Sequence, residues 1–233
     1  MSFCISSAYG QRRAITKGKI AGFEYSETEL GYSDVDELPL IIAFHYSSGK
    51  PYETIDDYNV LKIPARIIVP KGNYQKREGF SYYPVDYYQK DSLTQFALAK
   101  ATVDSLARFV DSIETKYKKK AIVTGISQGG DIAFMLAVYY PQLCRAAFPL
   151  AAVIHSATID EVIAKSVKKV PIFLFQGEAD PIVTLVNTKI KVAKIGDRLI
   201  LKLYTYPNLG HEISSQMKMD YSSMMDELNK KSY

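Results

Sequence analysis

Between residues 38 and 206 the chain alternates short apolar runs with helix-periodic stretches, an order that few folds accommodate. The runs fall at 38–44, 65–70, 121–124, 146–154, 170–176 and 199–206, and the first, Leu38-Pro39-Leu40-Ile41-Ile42-Ala43-Phe44, has no polar position. A strand of that kind has no wet face and belongs inside a parallel sheet. Helical spacing fills the intervals at 52–59, 93–118, 130–140, 159–166 and 184–193, and a last helix is expected at 214–230. The expectation is an α/β protein with a mostly parallel central sheet of about six strands and helices on both faces. Pro149 inside the fourth run is expected at an exposed beginning or at a bulge, because proline cannot donate to a ladder. Upstream, residues 19–26 and 4–8 are expected to pair as an antiparallel edge.

A chain of 233 residues with 47% hydrophobic content is long enough for one sizeable core. No repeat, linker or low-complexity tract divides it, so residues 1–233 read as a single domain. The net charge of +4 comes from scattered lysines. Their densest group, Lys116-Tyr117-Lys118-Lys119-Lys120, suits the end of a helix, where cations oppose the carbonyl dipole, better than a nucleic-acid surface. Cys4 and Cys144 cannot make a disulfide framework, which favours a reducing, cytoplasmic address. No leader pattern is visible and no run approaches the roughly 20 apolar residues of a membrane span, so stable membrane insertion is not expected. A homodimer stays open.

The third run leads into Gly125-Ile126-Ser127-Gln128-Gly129 and then directly into a helical stretch. A strand, sharp turn and helix lift a serine hydroxyl clear of the backbone, and the flanking glycines allow the strained turn and the close packing around it. Ser127, Asp180 and His211 each follow a predicted strand end, where reacting groups gather in open α/β sheets. A serine needs a base to take its proton. A neutral histidine serves as that base, and a buried carboxylate holds its tautomer. The alternative role for Asp180 is to cap the helix expected to start near Pro181. Donors for a developing oxyanion are expected from the backbone of Gln128 and from the turn after the first run, at Ser47 or Tyr46. His45 is expected to hold that turn through a hydrogen bond. Three separated histidines and no compact Cys/His cluster give no metal-ligand spacing, and no cofactor is implied.

Residues 71–90 carry Tyr74, Phe80, Tyr82, Tyr83, Tyr87 and Tyr88 in a long irregular segment. Tyr74, Phe80, Tyr82 and Tyr83 are expected to line a substrate pocket, since rings bury acyl carbons while phenols orient a carbonyl. The same rings would also staple the segment to the body. Lys71, Lys76 and Arg77 either attract an anionic substrate or serve solubility alone.

Three motifs together, Gly125-Ile126-Ser127-Gln128-Gly129-Gly130, Gly177-Glu178-Ala179-Asp180-Pro181-Ile182-Val183 and Gly210-His211-Glu212, resemble the signatures of the phospholipase/carboxylesterase family of α/β-hydrolases, relatives of acyl-protein thioesterases. The resemblance runs from about Leu38 to the C-terminus. It implies an α/β-hydrolase fold and cleavage of a small-molecule ester or thioester through an acyl-enzyme, without a cofactor. Ser127 takes the nucleophile role, His211 the base role and Asp180 the carboxylate role, with Gln128 and the Ser47 segment as oxyanion donors. Two departures stand out. His45-Tyr46-Ser47-Ser48-Gly49 has a tyrosine where the family usually has a glycine after the histidine, and the 71–90 segment carries lysines and Arg77 where neutral residues are common. Dienelactone hydrolases are a weaker likeness, since they commonly place a cysteine where this chain has Ser127. A peptidase of the same fold and a non-catalytic binding protein on the same scaffold are the alternative readings.

Overall fold

In the computed structural model, which describes residues 12–31, 38–62, 64–164 and 170–230, every one of the six apolar runs is a strand. The described residues form ten strands: β1 (Thr16–Ile20), β2 (Phe23–Leu30), β3 (Leu40–Phe44), β4 (Ala65–Pro70), β5 (Tyr74–Lys76), β6 (Gly79–Ser81), β7 (Ala121–Ile126), β8 (Cys144–Leu150), β9 (Pro171–Gly177) and β10 (Ile200–Tyr206). Six helices accompany them: α1 (Pro51–Asp56), α2 (Ser92–Tyr117), α3 (Gln128–Tyr139), α4 (Ser156–Ala164), α5 (Leu185–Ile195) and α6 (Ser215–Lys230). Eight strands form one sheet in the order β1-β2-β4-β3-β7-β8-β9-β10, parallel from β4 to β10. β5 and β6 make a separate hairpin inside the 71–90 segment.

The strand period of two explains the layers. Along β3, Leu40, Ile42 and Phe44 enter one core with Val103, Leu106 and Phe109 of α2 and Ile132 to Val138 of α3. Ile41 and Ala43 enter the other, with Ile55 of α1 and Met217, Tyr221 and Met225 of α6. Both faces are therefore dry, as the unbroken apolar run requires. Asp91 starts α2 by accepting hydrogen bonds from the backbone N–H groups of Leu93 (3.0 Å) and Thr94 (3.1 Å). Among the described residues no helix is long and apolar enough to cross a membrane.

Two expectations change. Residues 19–26 are not one edge strand: Ala21 and Gly22 both have positive φ (47° and 86°), and the chain reverses there so that β1 pairs with β2. Two consecutive positive-φ residues suit the twist of a tight hairpin. β2 joins the parallel block, antiparallel to β4, and the expected segment at 4–8 lies outside the described residues. Pro149 sits near the end of β8 rather than at its beginning. There the β8–β9 ladder registers only Ala147 with Ile172 and Leu150 with Phe175, an irregular stretch where a missing N–H costs least.

Candidate active site

The turn between β7 and α3 is built on two close approaches. Ser127 has φ 53° and ψ −114°, a strained conformation for a residue with a Cβ. The turn can tighten this far because Gly125 and Gly129 lack side chains. A Cβ on Gly129 would strike the carbonyl of Phe44 in β3, and one on Gly125 would strike the backbone of Gly129. Gly129→Ala should therefore force the turn off the sheet and cost about 3 kcal/mol, as overpacking a tight core does. An unchanged urea midpoint for that variant would show that the turn is looser than this.

The Ser127 backbone is also held from the other side, where its N–H donates to the carbonyl of Leu150 at 2.8 Å. Its hydroxyl then meets His211 Nε2 at 2.9 Å, and His211 Nδ1 meets Asp180 Oδ2 at 2.8 Å. Ser127, His211 and Asp180, 84 and 31 residues apart along the chain in successive pairs, thus form one hydrogen-bonded line. The loops that carry the last two are stitched together by backbone bonds. Glu178 N–H donates to Tyr206 O (3.0 Å) and Ala179 N–H to Leu209 O (2.9 Å).

Asp180 divides its two oxygens. Oδ1 accepts from the backbone N–H groups of Ile182 and Val183, both at 2.8 Å, which caps the local turn. Oδ2 faces His211 and also accepts from Gln176 Nε2 at 3.1 Å. Capping and histidine orientation coexist, and the capped segment is this turn rather than α5, whose N-cap is Thr184. Burial pushes the Asp180 carboxyl toward neutrality, yet hydrogen bonds from His211, Val183 and Ile182 outweigh it and leave the carboxyl below its usual range. It is the ionised form that faces the imidazole.

Around Ser127 and His211 lies a cavity of about 550 Å³, within the range of small-ligand sites. Tyr46, Ser47, Tyr88, Asp131, Val153 and Ile213 are among its walls. Gln128 and Ser47 both border it. The backbone N–H of Gln128 is the first of α3 and has no carbonyl partner within the helix. A helix start aimed at a reaction centre is suited to an oxyanion. The Gln128 side chain has a separate task, accepting from Tyr82 N–H at 2.8 Å and bonding Ser81 Oγ. It pins the 71–90 segment to the elbow.

His45 pins the same segment to the turn after β3. Its Nδ1 lies 2.7 Å from Tyr46 O, and Gly72 N–H donates to its Nε2 at 3.0 Å, which assigns the proton to Nδ1. Its ring stacks on Tyr82 at 4.3 Å. Burial lowers its pKa to about 4, and burial does the same to His155, whose Nε2 lies 3.3 Å from Tyr87 OH. Unfolded imidazoles titrate near 6.5, so below that pH the unfolded chain binds protons that the folded chain refuses. Stability falls with pH until about 4, each ring costing about 2 kcal/mol by pH 4.5. His155→Phe should flatten that fall by about the same amount when urea unfolding is compared at pH 7 and pH 4.5. A slope equal to that of the native sequence would refute it.

The pocket residues expected from the aromatic segment need correction. Tyr82 and Tyr83 are buried in the core, Tyr74 stands 41% exposed on β5, and Phe80 lies under the Lys71 amine at 4.9 Å. None of the four borders the cavity, whereas Tyr88 does. The rings were drawn inward because their partners are protein groups: Tyr82 OH donates to Pro70 O at 2.6 Å, and Phe44 meets its ring edge-on. The cations of this segment are also engaged. Lys71 pairs with Glu24, and Lys76 donates to Ser47 Oγ at 2.8 Å over the Tyr88 ring, while Arg77 is exposed in the β5–β6 turn. Sequence reasoning passed over Asp131. Its signal was available, since it is the only charged residue in α3 and directly precedes seven apolar positions, Ile132 to Val138.

Comparison with known proteins agrees with this architecture. A profile of the family described as Phospholipase/Carboxylesterase matches residues 53–229. Among curated proteins none matches. Among solved structures, esterase PE8 aligns with a TM-score of 0.73 at 18% identity, covering 82% of this chain and 93% of that one. The Bacillus cereus carboxylesterase gives 0.70 at 14% identity, covering 87% and 93%. SOBER1 of Arabidopsis thaliana gives 0.69 at 16% identity, covering 82% and 99%. At such identities the solved structures speak for the fold, and the profile, which spans most of the chain, speaks for the family. This chain belongs to the phospholipase/carboxylesterase family of α/β-hydrolases.

Proposed function

We propose that the protein is a serine hydrolase that cleaves carboxylic esters or thioesters through an acyl-enzyme, with Ser127 as nucleophile, His211 as base and acid, and Asp180 as the carboxylate that orients His211. The observation that carries this reading is the single line of hydrogen bonds from Asp180 through His211 to the Ser127 hydroxyl, opening into a cavity. His211 Nε2 takes the Ser127 proton as the oxygen attacks the substrate carbonyl. The backbone N–H of Gln128 and one from Ser47 or Tyr46 hold the oxyanion. Collapse of the tetrahedral intermediate breaks the bond to the alcohol or thiol, which leaves with the proton from His211. Water, deprotonated by the same imidazole, then releases the acid and restores Ser127.

His211 has one face open to the cavity, its side chain 19% exposed, while Asp180 is fully covered. That difference suits a base that must meet substrate and a carboxylate that must not meet water. The test is covalent labelling by a fluorophosphonate, read by mass spectrometry of the labelled peptide. Modification at Ser127, lost in Ser127→Ala, is the expected result. Absence of label on the folded native protein would remove the serine-hydrolase reading and favour a binding protein on this scaffold.

A further inference from the structure

Asp131 is a buried acid that the chemistry above does not use. It lies on α3 four residues after Ser127, about 6 Å along the helix axis, is 4% exposed, and still borders the cavity. Val153 N–H donates to its Oδ1 at 2.6 Å. Its own backbone N–H also bonds the carboxyl, but among the described residues no side chain donates to it and no cation forms an ion pair with it; the nearby Lys191 ammonium, whose charge acts on it, donates instead to Ile154 O at 2.5 Å. Tyr83, Tyr87 and Tyr88 lie near enough to feel its charge, and among the described residues the buried Tyr83 OH has no hydrogen-bond partner. A carboxyl buried on a largely apolar helix at the wall of the same cavity as Ser127, with no ion-pair partner, is expensive unless something in the cavity uses it.

We infer that Asp131 is the specificity determinant of this cavity and selects acyl groups that carry a hydroxyl or carbonyl oxygen a few bonds beyond the scissile carbonyl, in preference to plain alkyl chains. Burial pushes its carboxyl well above the usual range, which favours the neutral form, whose O–H donates to an uncharged oxygen. An ammonium would need the ionised form, which burial disfavours. The acyl side is favoured over the leaving group because the leaving group departs toward His211, on a different loop, whereas Asp131 belongs to the helix that carries Ser127. Sites built to bond a substrate oxygen discriminate more sharply than sites that merely accommodate a chain, since the analogue leaves a buried group unpaired.

This inference rests on the proposed esterase reading, and the two are separable. The native enzyme is assayed against matched p-nitrophenyl esters: butyryl with 3-hydroxybutyryl, and pentanoyl with 4-oxopentanoyl. Turnover of the alkyl esters that disappears in Ser127→Ala tests the esterase reading by itself, and its absence sinks both. The inference expects kcat/KM for each oxygenated ester to exceed that of its partner by about tenfold or more, a ratio worth one good hydrogen bond. Asp131→Leu should bring that ratio to about one. Asp131→Asn, which keeps the shape and an N–H donor, should retain part of it and guards against a variant that fails to fold. Equal kcat/KM within the pairs for the native enzyme, a ratio unmoved in Asp131→Leu, or a preference for a 4-aminobutyryl ester would each overturn it.

Discussion

Ser127→Ala should lower kcat/KM toward p-nitrophenyl butyrate by about six orders of magnitude while leaving the fold intact. The size follows from the nucleophile role proposed for Ser127. With the hydroxyl gone there is no atom to accept the acyl group, and His211 has nothing to deprotonate except water, so only the oxyanion donors and binding remain. The fold is spared because the Ser127 side chain makes a single hydrogen bond, to His211, and the strained backbone is maintained by contacts that alanine keeps: the N–H to Leu150 and the carbonyl that accepts from Asp131 N–H at 3.0 Å. Losing that one bond changes stability by no more than about 1 kcal/mol. Steady-state kinetics and a urea unfolding curve on the same preparation decide the matter. A variant with a hundredth of native activity would reject Ser127 as the nucleophile.

Asp180→Asn should lower kcat by about four orders of magnitude with little change in KM, and the structure explains why so slight a change is so costly. Two backbone donors, Ile182 N–H and Val183 N–H, require an oxygen at the Oδ1 position. The amide must therefore turn its NH2 toward His211 Nδ1. An N–H facing Nδ1 makes that nitrogen the acceptor and moves the imidazole proton to Nε2, where it blocks transfer from Ser127. Gln176 Nε2 then also faces a donor, which adds a stability loss of about 1–2 kcal/mol. The measurement is kcat and KM for the butyryl ester at pH 7. Retention of more than a tenth of kcat would show that Asp180 does not set the tautomer of His211.

The parallel block of the sheet was legible because a strand buried on both faces leaves an unmistakable run, as Leu40 to Phe44 and Pro171 to Gly177 do. The turn at Ser127 was legible for a related reason: glycines on both sides of a serine are demanded by close backbone contacts that few other sequences satisfy. The edge hairpin was not, because Ala21-Gly22 is a weak turn signal and β1 is mostly exposed, so no apolar pattern marks its register. Nor was the pocket. An aromatic residue satisfies a core and a cavity wall equally well by composition, and whether Tyr82 or Tyr88 faces the cavity depends on where Pro70 O, His45 and Gln128 stand in three dimensions.

Residue order by itself determined the layered α/β architecture and the residue types at Ser127, Asp180 and His211, because burial pattern and backbone strain are local and leave local traces. Tertiary structure alone decided which groups meet: that Oδ2 rather than Oδ1 of Asp180 turns to the imidazole, that the tyrosines at 82 and 83 face inward, and that Asp131 borders the cavity. The physical reason is range. A hydrogen bond acts over about 3 Å and across any number of residues, so its partners are chosen by the packing of whole elements, which no short stretch of sequence encodes.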